Sequence, residues 1–499
     1  MSNLRTTTSR RLRKRALTAG LAISVALGAA VLVPGVASAA PYPAAKTPAV
    51  EASPGPLMNY AVNVRIVNRG QTLKVERAVA AAGGTVIESY AEIGVVIAQS
   101  DNAAFAASVA REKAVLSVGA TRTAPVAATD PTFGVSDPLA PGESGHGRAA
   151  KQTKDIGVEA EVNVVPDPSE SRQWDMAAIG AVAAHEITDG SRDVLVAVID
   201  SGIQGDHPDL AANIDASLSA SCLSGVADSS YESWQPTTSS HGTHVAGTIA
   251  AARNGIGIVG VAPNVRVSAV KVVNDDGFIY PEAAICGFMH ATKTGADITN
   301  NSYYIDPWEF WCDNNADQSA VKVAVNRAVQ YSQGKGVLNV AAAGNSALDL
   351  ANKTVDSGSP NDTVPITRPV NTGCHDIPAE LDGVVTVSST TSTGAKSSFS
   401  NYGLNVVDIA APGSSILSTV AGGGYGTSSG TSMASPHVAG VAALLKSVHP
   451  EYSGLGLGDV LYAQATDVAC PTGSAQCTGP AAKNGFFGEG LVNALAAVK

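Results

Sequence analysis

At 499 residues, 45% hydrophobic and 15% charged, the chain is long enough for two or three folded units and apolar enough to bury a large core. Fifty glycines beside only 32 lysines and arginines suit a loop-rich globular protein and exclude a coiled coil or a disordered chain. The formal net charge of −11 means that nucleic-acid phosphates would repel the chain, so no nucleic-acid partner is expected.

Residues 1–40 carry Arg5, Arg10, Arg11, Arg13, Lys14 and Arg15 and no acid, then an apolar stretch from Ala16 to Val33, then the small-residue run VASAA. This is the layout of a secretory signal peptide cleaved near Ala39. A retained anchor is disfavoured because Gly20, Gly28 and Pro34 interrupt the apolar run. Ser9, Arg10 and Arg11 hint at twin-arginine export without deciding the route. Removing the six positive charges takes the net charge from −11 to −17. No later segment is long and apolar enough to span a bilayer, so a secreted monomer free of the membrane is expected. Six cysteines in an exported chain predict up to three disulfides. Cys470 and Cys477 bracket the turn-rich PTGSAQ and form the expected short-loop pair. Cys222, Cys286, Cys312 and Cys374 allow three connectivities, with Cys312–Cys374 preferred.

Residues 41–58 are a Pro/Ala-rich linker. Residues 59–122 alternate strand-like and helix-like runs in the order β-α-β-β-α-β, that of a ferredoxin-like α+β unit. Residues 123–172 are rich in Pro, Gly, Ser, Asp and Lys and read as a flexible connector open to proteolysis. From 173 to 499 the runs VLVAVID, VRVSAVKVV, ADIT, GVLNVAAAGN and GVVTVSS are nearly continuous in Val, Ile and Ala. Such runs predict strands buried on both faces, as in a parallel sheet. Helical segments near 241–252, 281–294 and 317–333 lie between them, giving a doubly wound α/β domain. Chemistry in such a domain belongs at the carboxyl ends of the strands.

Asp200 ends the apolar VLVAVID and needs a partner there or a turn to cap. His241 and His244 open the helix-like HGTHVAGTIA, where a general base is more economical than zinc, since H-E-x-x-H and a third ligand are both absent. GIGIVG matches a dinucleotide loop but follows a helix and precedes a strand, the reverse of what that loop needs. GTSSG matches a nucleophile elbow at Ser428, yet no Asp or Glu lies between Ser428 and His449, so Ser428 is read as a loop residue. The order that can be made is Asp200, His241, Ser432. Ser432 stands before the buried-helix pattern HVAGVAALL, with Ser435 and Pro436 expected in the first helical turn.

VAVIDSGI, HGTHVAGTIA, AAAGN and GTSMASPHVAG, in this order, resemble the four signature segments of the subtilisin-like serine proteases. The resemblance covers about 173–499, and the 59–122 unit is similar to the inhibitory propeptide of that family. It implies a secreted endopeptidase made as a self-processing zymogen, acting on polypeptides and held in check by its own propeptide. Ser432 would be the nucleophile, His241 the base, Asp200 its orienting partner and Asn345 an oxyanion donor. Substrate would lie as a strand between two edge segments, bringing in Gly277, Phe278, Ser302, Tyr303, Ala343 and Gly344. Ile279, Tyr303 and Tyr304 are bulkier than is usual there and either narrow the outer pockets or pack inward. No cofactor is implied for the chemistry. Structural calcium is implied at Asp209 in GDHPDL with Asn254 in ARNGIG, although that loop is short by one residue. A protease restricted to one peptide or leader is the nearest alternative. A catalytically silent scaffold would have lost one of the four polar groups, and all are present.

Overall fold

The computed structural model describes residues 55–126 and 166–499; the expected signal peptide and most of the linker and the connector lie outside them. The first strands and helices are β1 (Met58–Val64), α1 (Arg69–Ala81), β2 (Thr85–Tyr90), β3 (Val95–Ser100), α2 (Phe105–Val109) and β4 (Val115–Ala120). The strands form one antiparallel sheet in the order β2-β3-β1-β4. Its two faces have different partners. Val62, Val75, Val79, Val96 and Phe105 close a core beneath α1 and α2. Ala61, Val95 and Ile97, on the opposite face, join the core of the second unit.

After the short helices α3 (Trp174–Ala178) and α4 (Ala181–His185) come β5 (Leu195–Asp200), β6 (Ala220–Ser221), α5 (His241–Ala250), β7 (Arg266–Lys271), α6 (Pro281–Lys293) and β8 (Ile298–Asn301). Next are β9 (Trp311–Cys312), α7 (Ala316–Gly334), β10 (Leu338–Ala342), the hairpin β11 (Val355–Ser359) with β12 (Ile366–Pro369), and β13 (Cys374–His375). The chain ends with β14 (Val385–Thr390), β15 (Ile409–Pro412), the ribbon β16 (Ile416–Val420) with β17 (Gly424–Ser428), α8 (Thr431–Val448), α9 (Leu455–Gln464) and α10 (Ala494–Ala497). Seven strands form a parallel sheet in the order β15-β14-β10-β8-β5-β7-β6. The order reverses beside β5, so its carboxyl end opens at a topological switch point.

Alternation along β5 explains why its sequence is apolar throughout. Val196 and Val198 join a core with α5 and α8, while Leu195, Ala197 and Ile199 join a core with α6 and α7. The N-terminal sheet lies on α6 and α7. A Cβ on Gly119 would meet the Asp317 carbonyl at 2.4 Å, so only glycine permits this approach. Arg327 donates to the carbonyls of Gly94 at 2.7 Å and Val64 at 3.0 Å, and Asn63 to that of Ala320 at 2.7 Å.

Disulfides join Cys222–Cys286, Cys312–Cys374 and Cys470–Cys477. Two local expectations change. Ser428 is the last residue of β17, hydrogen-bonded into a ribbon opposite Ile416, not a loop residue. Pro436 is in the second turn of α8, because the helix starts at Thr431. Its missing N–H therefore leaves the Ser432 carbonyl without a helical partner.

Candidate active site

Asp200 is 1% exposed at the end of β5. Its Oδ1 accepts from His241 Nδ1 at 2.8 Å and from the Ser201 N–H at 2.7 Å. His241 begins α5, where the Ser201 hydroxyl accepts the Gly242 N–H at 2.9 Å and ties helix to strand end. Burial alone would lower the His241 pKa, but the charge and hydrogen bond of Asp200 outweigh it and raise it above 6.5. The imidazole side chain remains 32% exposed. It lines a cleft of about 350 Å³ with Asp200, Ser302 and Tyr303. A larger cleft of about 710 Å³, lined by Lys353, Asp408 and Tyr462 among others, shares no lining residue with it.

His244 has a different fate. Its Nε2 donates to the carbonyls of Ile416 and Gly426 at 3.1 and 3.2 Å, tying α5 to the β16–β17 ribbon. Burial pushes its pKa down to about 4, so it is a neutral structural histidine.

Ser432 is the second residue of α8, and its hydroxyl donates to the Ser302 carbonyl at 3.2 Å. Its backbone N–H is one of the orphan donors of the helix start. Asn345 follows β10, and its Oδ1 accepts from both the Thr431 N–H at 2.8 Å and the Thr431 hydroxyl at 3.0 Å. Thr431 Oγ1 in turn accepts the Gly344 N–H at 3.0 Å. This lock leaves Asn345 Nδ2 as the free end of the amide. A Cβ on Gly430 would stand 3.6 Å from both Asn345 Nδ2 and Ser432 N, so the two donors flank the same small space. Such a pair of fixed N–H donors is suited to an oxygen that gains negative charge.

The expected substrate residues divide. Ala343 and Gly344 border Asn345, and Gly344 needs both its φ of +95° and its lack of a side chain, since a Cβ would fall 2.4 Å from Asn401 Nδ2. Asn401 braces this loop by donating to the Ala343 carbonyl at 2.9 Å and accepting from the Ser346 and Leu348 N–H groups. Ser302 and Tyr303 line the cleft, and the Tyr303 hydroxyl donates inward to Asn301 Oδ1 at 3.0 Å. Gly277 also lines the cleft, but Gly277 N–H and the Phe278 carbonyl are spent on Asn274 inside a tight turn. Ile279 is buried at the cleft edge.

Asp209 and Asn254 do meet, but as a hydrogen-bonded turn. Calcium needs six to eight oxygen ligands. Asp209 Oδ2 instead accepts the Ile258 N–H at 3.0 Å, and Asn254 Oδ1 accepts the Ile256 N–H at 3.1 Å. Asp167 takes the N–H groups of Asn254 and Gly255 at 3.3 and 2.7 Å. A Cβ on Gly257 would fall 2.5 Å from Asp209 Oδ2 and 1.9 Å from the Tyr425 hydroxyl, so the short loop closes directly on the carboxylate. One oxygen each of Asp209 and Asn254 is thus spent on backbone N–H groups, while Asp209 Oδ1 has no hydrogen-bond partner among the described residues.

Sequence reasoning missed Arg122, Glu282 and Asp376. Glu282, 0% exposed in the first turn of α6, accepts from Arg122 Nη2 at 2.5 Å and Asn59 Nδ2 at 2.7 Å, both from the N-terminal unit. The Arg122 guanidinium also lies 3.7 Å over the Tyr280 ring. The only signal in the sequence was an acid within the apolar run YPEAAICGF.

Residues 191–490 match the family model described as the subtilase family. The chain is 33% identical to Subtilisin NAT of Bacillus subtilis subsp. natto over 349 residues, covering 70% of this chain and 77% of that one. It is 34% identical to a subtilisin of Bacillus pumilus over 331 residues, covering 66% of this chain and 100% of that one. Among solved structures, the epidermin leader peptide processing serine protease from Staphylococcus aureus has a TM-score of 0.63 at 22% identity, covering 89% of this chain and 98% of that one, a likeness of fold. A protease from Pseudoalteromonas arctica has a TM-score of 0.52 at 27% identity, covering 67% and 99%. The chain therefore belongs to the subtilase family and is a serine-type endopeptidase.

Proposed function

We propose that this endopeptidase is secreted as a zymogen and cleaves peptide bonds through an acyl-enzyme on Ser432. The observation that carries this reading is the 2.8 Å bond that His241 Nδ1 donates to Asp200 at the carboxyl end of β5. It fixes the tautomer that leaves Nε2 free to take a proton. Ser432 Oγ, released from its bond to the Ser302 carbonyl, attacks the scissile carbonyl as His241 Nε2 takes its proton. The oxygen that becomes negative is held by Asn345 Nδ2 and the Ser432 N–H. His241 then gives its proton to the leaving amine, and water resolves the acyl-enzyme by the same steps in reverse. Asp200 holds the imidazole and stabilises its charged form without being protonated itself.

Residues 59–122 act as folding partner and inhibitor, and activation is a cut within 123–172. The burial of Glu282 by Arg122 and Asn59 supports this, because Arg122 leads the chain away beside Tyr280, next to the cleft residue Ile279. The signal at 1–40 and the cysteine content support secretion. A narrower role, cleavage of one peptide or leader, is favoured by Ile279 and Tyr303 lining the cleft. The Staphylococcus aureus protease with a similar fold is a leader-peptide processing enzyme.

The test is the mass of the chain, expressed without its signal, followed over time beside Ser432→Ala. Self-cleavage between the two folded units is expected only in the active form. An alanine variant that matures equally well when freed of other proteases contradicts self-processing.

A further inference from the structure

Asp376 follows β13, and the chemistry above makes no use of it. Its side chain is buried, the residue being 2% exposed, and its Oδ1 has no hydrogen-bond partner among the described residues. Burial pushes its pKa well up, Glu380 and Glu309 push it further, and Lys353 opposes them. Lys353 is already paired with Glu380, so Asp376 has no cation of its own. A buried carboxyl group left in this state is costly unless something is brought to it.

Its position relates it to the reacting centre. A Cβ built on Gly344 would stand 3.5 Å from Asp376 Oδ2, so the missing side chain of Gly344 leaves the carboxyl directly behind the residue that precedes Asn345. A second acid is close by, since Glu309 accepts the Ser346 hydroxyl at 2.9 Å on the other side of Asn345. A peptide whose scissile carbonyl oxygen sits between Asn345 Nδ2 and the Ser432 N–H projects its preceding side chain from the next carbon. On the reading of the reacting centre above, that carbon would lie beside the Ala343–Asn345 wall. The neighbouring cleft adds Asp275 and Asp276 and no Lys or Arg among its lining residues.

We propose that Asp376 is a specificity residue of this protease, selecting arginine or lysine as the residue on the acyl side of the scissile bond. The proposal rests on the reading of Ser432 and Asn345 as the reacting centre. An entering guanidinium or ammonium group supplies the missing counter-ion. Arginine brings a planar fork of donors that matches a carboxylate. An apolar side chain would leave the buried carboxyl unpaired, and sites built around a polar partner discriminate strongly against residues lacking it.

The test uses the full chain after maturation, with active enzyme counted by a fluorophosphonate probe. Four peptide anilides differing only in the acyl-side residue (Arg, Lys, Leu, Phe) are compared by kcat/KM per active site. Arg and Lys are expected to exceed Leu and Phe by about 10²-fold. Asp376→Asn should lower Arg and Lys turnover by about 10²-fold and leave Leu and Phe within a few-fold. Asp376→Glu should keep the cationic preference, which guards against an Asn variant that fails to fold. Self-cleavage should fall after Arg148, Lys151, Lys154 or Arg172, the cations of the connector. Wild-type enzyme that cleaves after Leu or Phe as well as after Arg, or an Asn variant that keeps the wild-type ratio, overturns the proposal. No turnover on any peptide together with no probe adduct on Ser432 would instead overturn the reading of the reacting centre, and this proposal with it.

Discussion

Ser302 and Ser432 are bonded to each other twice: the Ser302 hydroxyl donates to the Ser432 carbonyl at 2.9 Å, and the Ser432 hydroxyl donates to the Ser302 carbonyl at 3.2 Å. The first bond exists because Pro436 has no N–H for the carbonyl four residues before it. Ser302, the residue after β8, therefore completes the first turn of α8 and fixes the backbone that carries the nucleophile.

Ser302→Ala should leave the Ser432 carbonyl unpaired and cost about 1–3 kcal/mol of stability. It should lower kcat more than it raises KM, since the bond positions the attacking group. Thermal unfolding and steady-state kinetics on one preparation check both. Unchanged Tm and kcat would show that the carbonyl is satisfied in another way.

The raised pKa of His241 predicts the acid limb of activity. The neutral imidazole is the base, so kcat/KM should fall as pH drops through a value above 6.5. Asp200→Asn removes the group that raises that pKa, so the limb should move to lower pH while turnover falls by about 10⁴-fold. A limb in Asp200→Asn at the wild-type position would dissociate Asp200 from His241.

Asn345→Ala removes the free amide end held by Thr431. Turnover should drop by about 10²–10³-fold, a range taken from the same kind of donor in subtilisin itself, with KM little changed. Wild-type turnover in this variant would reject Asn345 as an oxyanion donor.

Arg122–Glu282 predicts how the N-terminal unit is held. Burial would raise the Glu282 pKa, but the Arg122 charge and the hydrogen bonds from Asn59 and Arg122 outweigh it and lower it below 4.5. A carboxylate lowered by its partner strengthens the association above its free value. That contribution is lost as pH falls from about the ordinary 4.5 through the lowered value. Residues 59–122 added in trans should therefore inhibit less tightly on acidification. Arg122→Ala should weaken inhibition by at least about 10²-fold at neutral pH, because it leaves Glu282 buried and unpaired. Equal inhibition by wild type and variant would place the binding energy elsewhere.

The closed turn at Asp209 predicts that calcium does not act there. Asp209→Asn should shift Tm equally with calcium and with a chelator present. A calcium-dependent stabilisation of the wild type that vanishes in Asp209→Asn would contradict the geometry.

The parts legible in the sequence are those whose chemistry and position coincide in one segment. VLVAVID announces both a strand buried on two faces and a carboxylate at its end, and the segments around His241, Asn345 and Ser432 each carry their own context. Residues that acquire meaning from distant neighbours were not legible. Asp376 in CHDIP looks like an ordinary turn acid until the fold places it behind Gly344. Arg122 and Glu282 are 160 residues apart, and no local pattern pairs them. Ser435 and Pro436 were expected in the first turn of α8, but the helix starts earlier, at Thr431, which is itself helical and spends its hydroxyl on Asn345 and Gly344. That shift moved Pro436 one turn deeper and hid the need for Ser302.

The most direct test of the account is to react the mature protein with a fluorophosphonate and map the adduct by mass spectrometry, beside Ser432→Ala and Asp200→Asn. One adduct on Ser432 is predicted, absent in Ser432→Ala and formed far more slowly in Asp200→Asn. Labelling of another serine, or equal labelling of wild type and Ser432→Ala, would contradict it.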